Sequence, residues 1–271
     1  GVLAFENGQS TVGYGQSPSK SFKEIDSKDI VKEATSTALN GLNAGPALTG
    51  SYETVLNRDC MSQLLSAFSA IYSSEVALKK MTKLEGKEGE KIFGDNITIT
   101  EDPFHENAIV KTSFDDEGFP CSKKNIVENG VFTTFLYNLK TAKVFGKTST
   151  GNGFKAGVES PVRVSSTITY LQPGTKSEEE LISSIEDGIY ITDISGLHAG
   201  LDIISGDFNV QSSGRLIKNG KLADPVTLFV VSGNYYEMMN NIVEIANNLE
   251  KVMTDTHAPS VKVKSLAISG K

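Results

Sequence analysis

The chain is poor in the residues that staple small folds or hold metals: 271 residues carry two cysteines and three histidines. Cys60 and Cys121 lie in unrelated contexts and form no Cys-x-x-Cys pair. Neither a disulfide framework nor a thiolate knuckle is indicated, and both are expected as reduced, half-buried thiols. Basic clusters are missing too. Lys and Arg total 26 against 33 Asp and Glu, a net charge of −7, and no basic run exceeds Lys79-Lys80 or Lys123-Lys124. A duplex-binding face needs concentrated cations to release counterions from phosphates, so direct nucleic-acid binding is not expected. No apolar run approaches the ~18–20 residues that cross a bilayer, and no secretory signal is seen. No membrane contact is expected, and a cytoplasmic location follows. The first residue is not Met, and Val2-Leu3-Ala4-Phe5 already reads as a strand, so a domain is expected upstream.

A hydrophobic content of 38% with 22% charged residues describes a chain with a substantial core. Asn7-Gly8, Asn129-Gly130 and Asn219-Gly220 are hairpin signals, because both turn positions of a type I′ turn need positive φ. Ser27 is a candidate cap for a helix to about Leu42, with Ile30, Ala34 and Ala38 on one face. A second helix is expected from Asp59 toward Lys80, with Met61, Leu64, Leu65, Phe68, Ile71 and Tyr72 at helical spacing. Ser177-Glu178-Glu179-Glu180 is a capping box. A last helix after Asn234 carries Met238, Met239, Ile242, Ile245 and Leu249, and its methionine stripe continues to Met253. Strands are expected at 52–56, 97–100, 131–137, 162–170, 188–194, 208–211, 226–232 and 261–268. The spacing lacks a regular βαβ rhythm. The class is α+β, with a large, mostly antiparallel sheet or barrel and peripheral helices.

Catalytic signatures are sparse. No Gly-x-Ser-x-Gly elbow is present, and Gly13-Tyr14-Gly15 and Gly151-Asn152-Gly153 lack the pattern that cradles phosphates. Asp115-Asp116-Glu117 is a dense acidic group that suits a cation or an elevated carboxyl pKa, or simply an acidic loop closing at Gly118. His105 follows Asp102-Pro103-Phe104 and is expected in a solvent-exposed turn. His198 lies among glycines, placed either to meet a peptide backbone or to be fixed by a neighbouring carbonyl. His257 stands alone near the C-terminal end. The three have no helical or ligand-like spacing.

An ordered series of short words carries more information than any of these residues singly. It runs through Asp115-Asp116-Glu117-Gly118, Lys147-Thr148-Ser149-Thr150-Gly151-Asn152-Gly153, Gly188-Ile189-Tyr190-Ile191, Gly196-Leu197-His198-Ala199-Gly200, Ser205-Gly206-Asp207-Phe208 and Ser232-Gly233-Asn234. In this order the chain resembles the C-terminal region of the TldD/PmbA proteins, also called peptidase U62 or modulator of DNA gyrase. The Gly-Leu-His-x-Gly and Ser-Gly-Asp-Phe words look more like the PmbA, or TldE-like, branch. The resemblance implies that residues 1–50 end an upstream domain with a connecting helix, and that 51–271 form the C-terminal, peptidase-like domain. It also implies a cytoplasmic proteolytic system acting on unfolded or flexible peptides. In such a system a zinc-dependent TldD subunit pairs with a PmbA/TldE subunit that lacks the metal.

TldD-type proteins place a His-Glu-x-x-x-His motif on the helix matching the one expected from Asp59. Two imidazoles and a carboxylate on one face are what a zinc peptidase needs. This sequence instead reads Leu64-Leu65-Ser66-Ala67-Phe68-Ser69-Ala70-Ile71. The family's third ligand, a Cys, would fall near 254–259, where His257 stands and no Cys does. No catalytic or metal-ligating residue is therefore assigned, and zinc is expected only in a TldD-type partner. Substrate contact is expected of Asp116, Glu117, His198, Asp207 and Phe208. The leading expectation is a non-catalytic subunit helping to form a dimer cavity around a flexible peptide. The alternatives are a divergent metallopeptidase using His198, His257 and Asp202 or Asp207, and a peptide-binding homodimer.

Overall fold

The computed structural model describes residues 1–17, 19, 21–106, 108–249 and 256–271. The chain opens with a hairpin of β1 (Val2–Glu6) and β2 (Gln9–Gly13), turned by Asn7 and Gly8 at φ 50° and 80°. Helix α1 (Ser27–Asn40) lies against it. Its cap is Asp26, not Ser27: the Asp26 carboxylate accepts the Lys28 amide at 2.8 Å. The Gly13-Tyr14-Gly15 word has a packing role here. A Cβ on Gly13 would stand 2.0 Å from the Ala34 carbonyl oxygen, and one on Gly15 2.0 Å from that of Ile30, so only glycine admits α1 this closely.

The next elements are β3 (Gly45–Pro46), β4 (Gly50–Leu56), α2 (Arg58–Ala67), α3 (Ser74–Leu78), β5 (Ile99–Glu101), β6 (Lys124–Glu128), β7 (Val131–Phe132) and α4 (Leu139–Phe145). They are followed by β8 (Gly153–Phe154), β9 (Arg163–Val164), β10 (Thr169–Leu171), α5 (Glu178–Ser183), β11 (Asp187–Ser195), α6 (Leu197–Gly200), β12 (Asp207–Lys218) and β13 (Lys221–Asn234). The last are α7 (Tyr235–Asn240), β14 (Ile242–Ile245), β15 (Thr256–His257) and β16 (Val261–Ser269).

The larger sheet runs β14-β16-β4-β11-β12-β13-β3 and closes on itself where β13 also pairs with β16. Among these pairs β4–β11 and β13–β3 are parallel and the rest antiparallel, as the α+β reading requires. Closure needs local bending. It comes from bulges in the β11–β12 and β12–β13 ladders and from Leu228, a non-glycine residue at φ 56° where β13 leaves β3 and meets β16. A second sheet, β15-β10-β5-β6-β7, lies beside it. Its Asn129-Gly130 hairpin and the Asn219-Gly220 hairpin of β12–β13 both take positive φ at each turn residue. One buried cluster runs through both sheets and α2, from Leu56 and Phe68 to Phe132, Phe229 and Val263. Among the described residues no helix is long and apolar enough to cross a membrane.

Four expected elements come out differently. The helix from Asp59 toward Lys80 stops at Ala67, continues as a 3₁₀ turn over Ser69–Tyr72, and restarts at Ser74. Ser73 is extended and caps α3, and the Ser74 amide donates to the Leu136 carbonyl at 3.1 Å, a tertiary bond a continuous helix would forfeit. The strand expected over 162–170 survives only as Arg163–Val164 and Thr169–Leu171. Between them the Ser165 amide turns to the Asn152 carbonyl and Thr167 turns to Glu101. The last helix ends at Asn240, and Ile242–Ile245 becomes a strand on β16, with Ile242 and Ile245 buried and Val243 exposed. The strand expected over 131–137 likewise shortens to Val131–Phe132. Met253, at the end of the methionine stripe, lies outside the described residues.

Candidate functional site

Helix α2 is the helix on which the resemblance to TldD-type proteins would place a zinc motif. Asn57 starts it, with its side-chain oxygen accepting the Cys60 amide at 2.8 Å and its amide group donating to the Thr192 carbonyl at 3.1 Å. Ser62 ties it to β15: its hydroxyl donates to the Arg58 carbonyl at 2.7 Å and accepts the Ala258 amide at 2.8 Å. The helix and the strand carrying His257 are thus neighbours. Beyond Ser62 the inward residues are Leu64, Leu65, Phe68, Ile71 and Tyr72, all buried. Phe68 stacks on Tyr235 with centroids 4.5 Å apart and meets Phe208 edge-on at 6.5 Å, while Phe93 meets Tyr235 edge-on at 6.0 Å. The position is an aromatic core.

Zinc binds thiolate, imidazole or carboxylate. The one thiol on α2 is Cys60, buried completely, and burial followed by the nearby Asp193 and Asp59 charges pushes it well above the ordinary range. Among the described residues no group of three or more His, Cys, Asp and Glu side chains is placed to share a metal ion. The described residues of α2 do not fit zinc.

The other named residues fall into separate places. Phe208 is 1% exposed and belongs to the ring cluster, which removes it from any surface where a peptide would lie. Its neighbour Asp207 is exposed. The Asp207 carboxylate accepts from the Ser205 hydroxyl at 2.8 Å and the Asn234 amide group at 2.7 Å, and these bonds hold its pKa below the usual carboxylate range. Asp202 accepts the Ser205 and Ile204 amides, which lower its pKa in the same way. Lys83 donates to the Ser205 carbonyl at 2.7 Å and sits 5.4 Å from the Tyr236 ring centroid. Asn234 also caps α7. The Ser-Gly-Asp-Phe and Ser-Gly-Asn words therefore meet in space as one fastening, from the 202–207 loop to α7.

The acidic group 115–117 fastens loops as well. Buried Asp115 accepts the amides of Glu117, Phe119 and Gly153 at 3.0, 2.8 and 2.8 Å. Asp116 accepts the Lys155 amide at 2.7 Å, and Glu117 accepts the Leu139 amide at 2.7 Å, a carboxylate at the N-terminus of α4. His198 is exposed on α6, in the connection between β11 and β12. His105 is half-buried, not fully exposed, because its ring meets Tyr170 edge-on at 5.0 Å. His257 stands opposite that same Tyr170 in the backbone register of the parallel β10–β15 pair.

Sequence reasoning missed the buried polar centre of the second sheet. Glu101 is fully buried and accepts from Lys124 at 2.5 Å, from the Asn152 amide group at 2.7 Å, and from the Thr167 amide and hydroxyl at 2.6 and 2.9 Å. The signal was Gly151-Asn152-Gly153. Gly151, at φ 74°, lets the chain pass so close to Pro120 that a Cβ would lie 2.6 Å from its carbonyl oxygen, and this brings Asn152 inside. The network orders the Lys147–Gly153 word but contains no exposed reactive group.

Known proteins share this architecture. Residues 49–270 match the PmbA/TldA metallopeptidase C-terminal domain family. A Metalloprotease TldD homolog of Buchnera aphidicola is 29% identical over 265 residues, covering 92% of this chain and 54% of the relative. A Metalloprotease PmbA homolog of Haemophilus influenzae is 25% identical, covering 95% and 54%. The chain thus spans about half the length of the curated relatives it matches. Among solved structures, a candidate modulator of a DNA gyrase from Thermotoga maritima superposes with a TM-score of 0.88 at 33% identity, over 98% of this chain and 60% of that one. TldE from Thermococcus kodakarensis superposes at 0.87 and 26% identity, over 99% and 61%.

Proposed function

Since the chain belongs to the PmbA/TldA metallopeptidase C-terminal domain family, we propose that it is the metal-free, PmbA/TldE-like subunit of a cytoplasmic proteolytic system. In this role it forms part of a dimer cavity and holds flexible peptide for a zinc-dependent TldD-type partner, which performs the hydrolysis. One observation carries the reading: over α2 and the turn that follows it, where a metallopeptidase of this family would need imidazoles, Leu64, Leu65 and Ile71 are buried and Phe68 is stacked on Tyr235. A metal-bound water cannot be activated by residues that supply no ligand and no general base. Similarity to TldE over nearly the whole chain supports the same branch.

The test is reconstitution. Alone, with zinc supplied, the protein should leave an unfolded peptide substrate intact. Mixed with the TldD-type subunit of its own host, it should form a complex and raise that subunit's hydrolysis. Metal-dependent hydrolysis by the isolated chain would overturn the reading in favour of a divergent metallopeptidase. A stable homodimer that binds peptide and ignores TldD would favour a peptide-binding protein.

A further inference from the structure

The Asn-Gly turns serve the fold, and none of the roles above uses their chemistry. An asparagine before glycine is the most labile kind, because no Cβ shields the next amide nitrogen from the side-chain carbonyl. Five such pairs stand in the sequence, at Asn7, Asn40, Asn129, Asn152 and Asn219. The reaction needs the glycine nitrogen to give up its proton and reach the asparagine Cγ. A glycine N–H held by an acceptor therefore resists it.

Four of the five are held. The Gly41 amide donates to the Thr37 carbonyl at 3.3 Å, Gly130 to Ile97 at 2.8 Å and Gly220 to Ile185 at 2.9 Å, while Gly153 donates to the Asp115 carboxylate at 2.8 Å. Space divides them the same way. A Cβ on Gly130 would lie 2.4 Å from the Phe93 carbonyl oxygen, and one on Gly153 2.5 Å from the Glu117 carboxylate. On Gly220 it would lie 2.7 Å from the Ser183 carbonyl oxygen, and on Gly41 3.2 Å from the Thr11 methyl group. Around Gly8, chain neighbours apart, nothing stands within 4 Å of that position, and its amide donates to no described residue. Asn7 and Gly8 are both exposed. They turn a sheet of only two strands, marginal by itself and quick to open, whereas Asn129 and Asn219 turn strands of the five- and seven-stranded sheets.

We propose that Asn7 is a site of spontaneous modification in the folded protein, with water as the only co-reactant. The Gly8 nitrogen loses its proton to solvent and forms a bond to the Asn7 Cγ. The Cγ–Nδ2 bond breaks, a proton returns from solvent, and ammonia leaves, closing a succinimide. Water then adds to either carbonyl of the ring and opens it, giving aspartate or isoaspartate at position 7. Nothing is oxidised or reduced. The product carries one more negative charge next to Glu6, and isoaspartate adds a carbon to the main chain inside a two-residue turn.

The experiment incubates the full chain in warm, mildly alkaline buffer, once folded and once in concentrated urea, and maps all five sites against time by peptide mass spectrometry. The urea sample supplies each site's rate without the fold, and circular dichroism confirms that the other sample stays folded. In the folded chain Asn7 should keep its urea rate within about threefold, while the other four should slow by more than about tenfold, since an engaged amide reacts only when its segment opens. The modified peptide should also elute as a pair of products, aspartate and isoaspartate, as ring opening at either carbonyl requires. Protection of Asn7 equal to that of the other four would overturn the proposal, as would faster conversion at Asn129 or Asn219 in the folded chain.

Discussion

Around Phe68 the interior is closed by rings, whereas around Glu101 it is closed by one ion pair and a ring of hydrogen bonds. The first region holds the helix on which the resemblance to TldD-type proteins would place metal ligands, and here it has the chemistry of an ordinary core. The second has the buried charge that in many enzymes marks an active centre, yet every oxygen of Glu101 is committed to a neighbour. A buried charge signals function only when part of it remains available. The contrast puts the scaffold's polar effort into loop placement and leaves the hydrolytic position apolar.

The comparison can be broken most sharply by emptying each region. Phe68→Ala should cost about 3–5 kcal/mol in denaturant unfolding, the range for deleting a fully buried ring. A loss below about 1 kcal/mol would mean the site is open and able to refill, contrary to a packed plug. Lys124→Ala should cost about as much, roughly 3–5 kcal/mol, because it strands the Glu101 carboxylate. Pairing it with Glu101→Gln should recover a large part of the loss. Such recovery has no counterpart at Phe68, where no charge is left uncompensated.

A smaller effect concerns Glu88, which braces the segment between the two regions. Burial alone would raise its pKa, but bonds from Lys147, the Phe135 amide and the Tyr137 hydroxyl outweigh it and leave the carboxyl below its ordinary value. A lowered folded-state pKa gives stability that is complete above the unfolded value of about 4.3 and is lost as pH falls through the folded one. Glu88→Gln should therefore reduce stability near neutrality and flatten its decline below pH ~4.3. Unfolding midpoints measured from neutral to acid pH would show this. The smallest change expected is Ser177→Ala, which removes the cap of α5 and should cost about 1 kcal/mol.

What could be read from the sequence followed from local chemistry. The Asn-Gly hairpins and the Ser177–Glu180 capping box were visible because a few residues settle their backbone. The break in the α2 segment was not visible, because its apolar spacing continues through Tyr72 and the interruption comes from Leu136, far along the chain. The strand at Ile242–Ile245 hid in a helical pattern for a related reason: β16 supplied the competing hydrogen bonds. At the candidate site, the missing imidazoles were legible from residues 64–71 alone. The contact of His105 with Tyr170, the register that sets His257 opposite Tyr170, and the meeting of Glu101, Lys124 and Asn152 needed the tertiary fold that fixes them.

The central claim is that this chain supplies no metal centre to hydrolysis. Equilibrium dialysis of the full chain against zinc, followed by elemental analysis, tests it most directly. The account predicts bound zinc well below one equivalent and unchanged by His257→Ala. One tightly held equivalent per chain, lost in that variant, would contradict it.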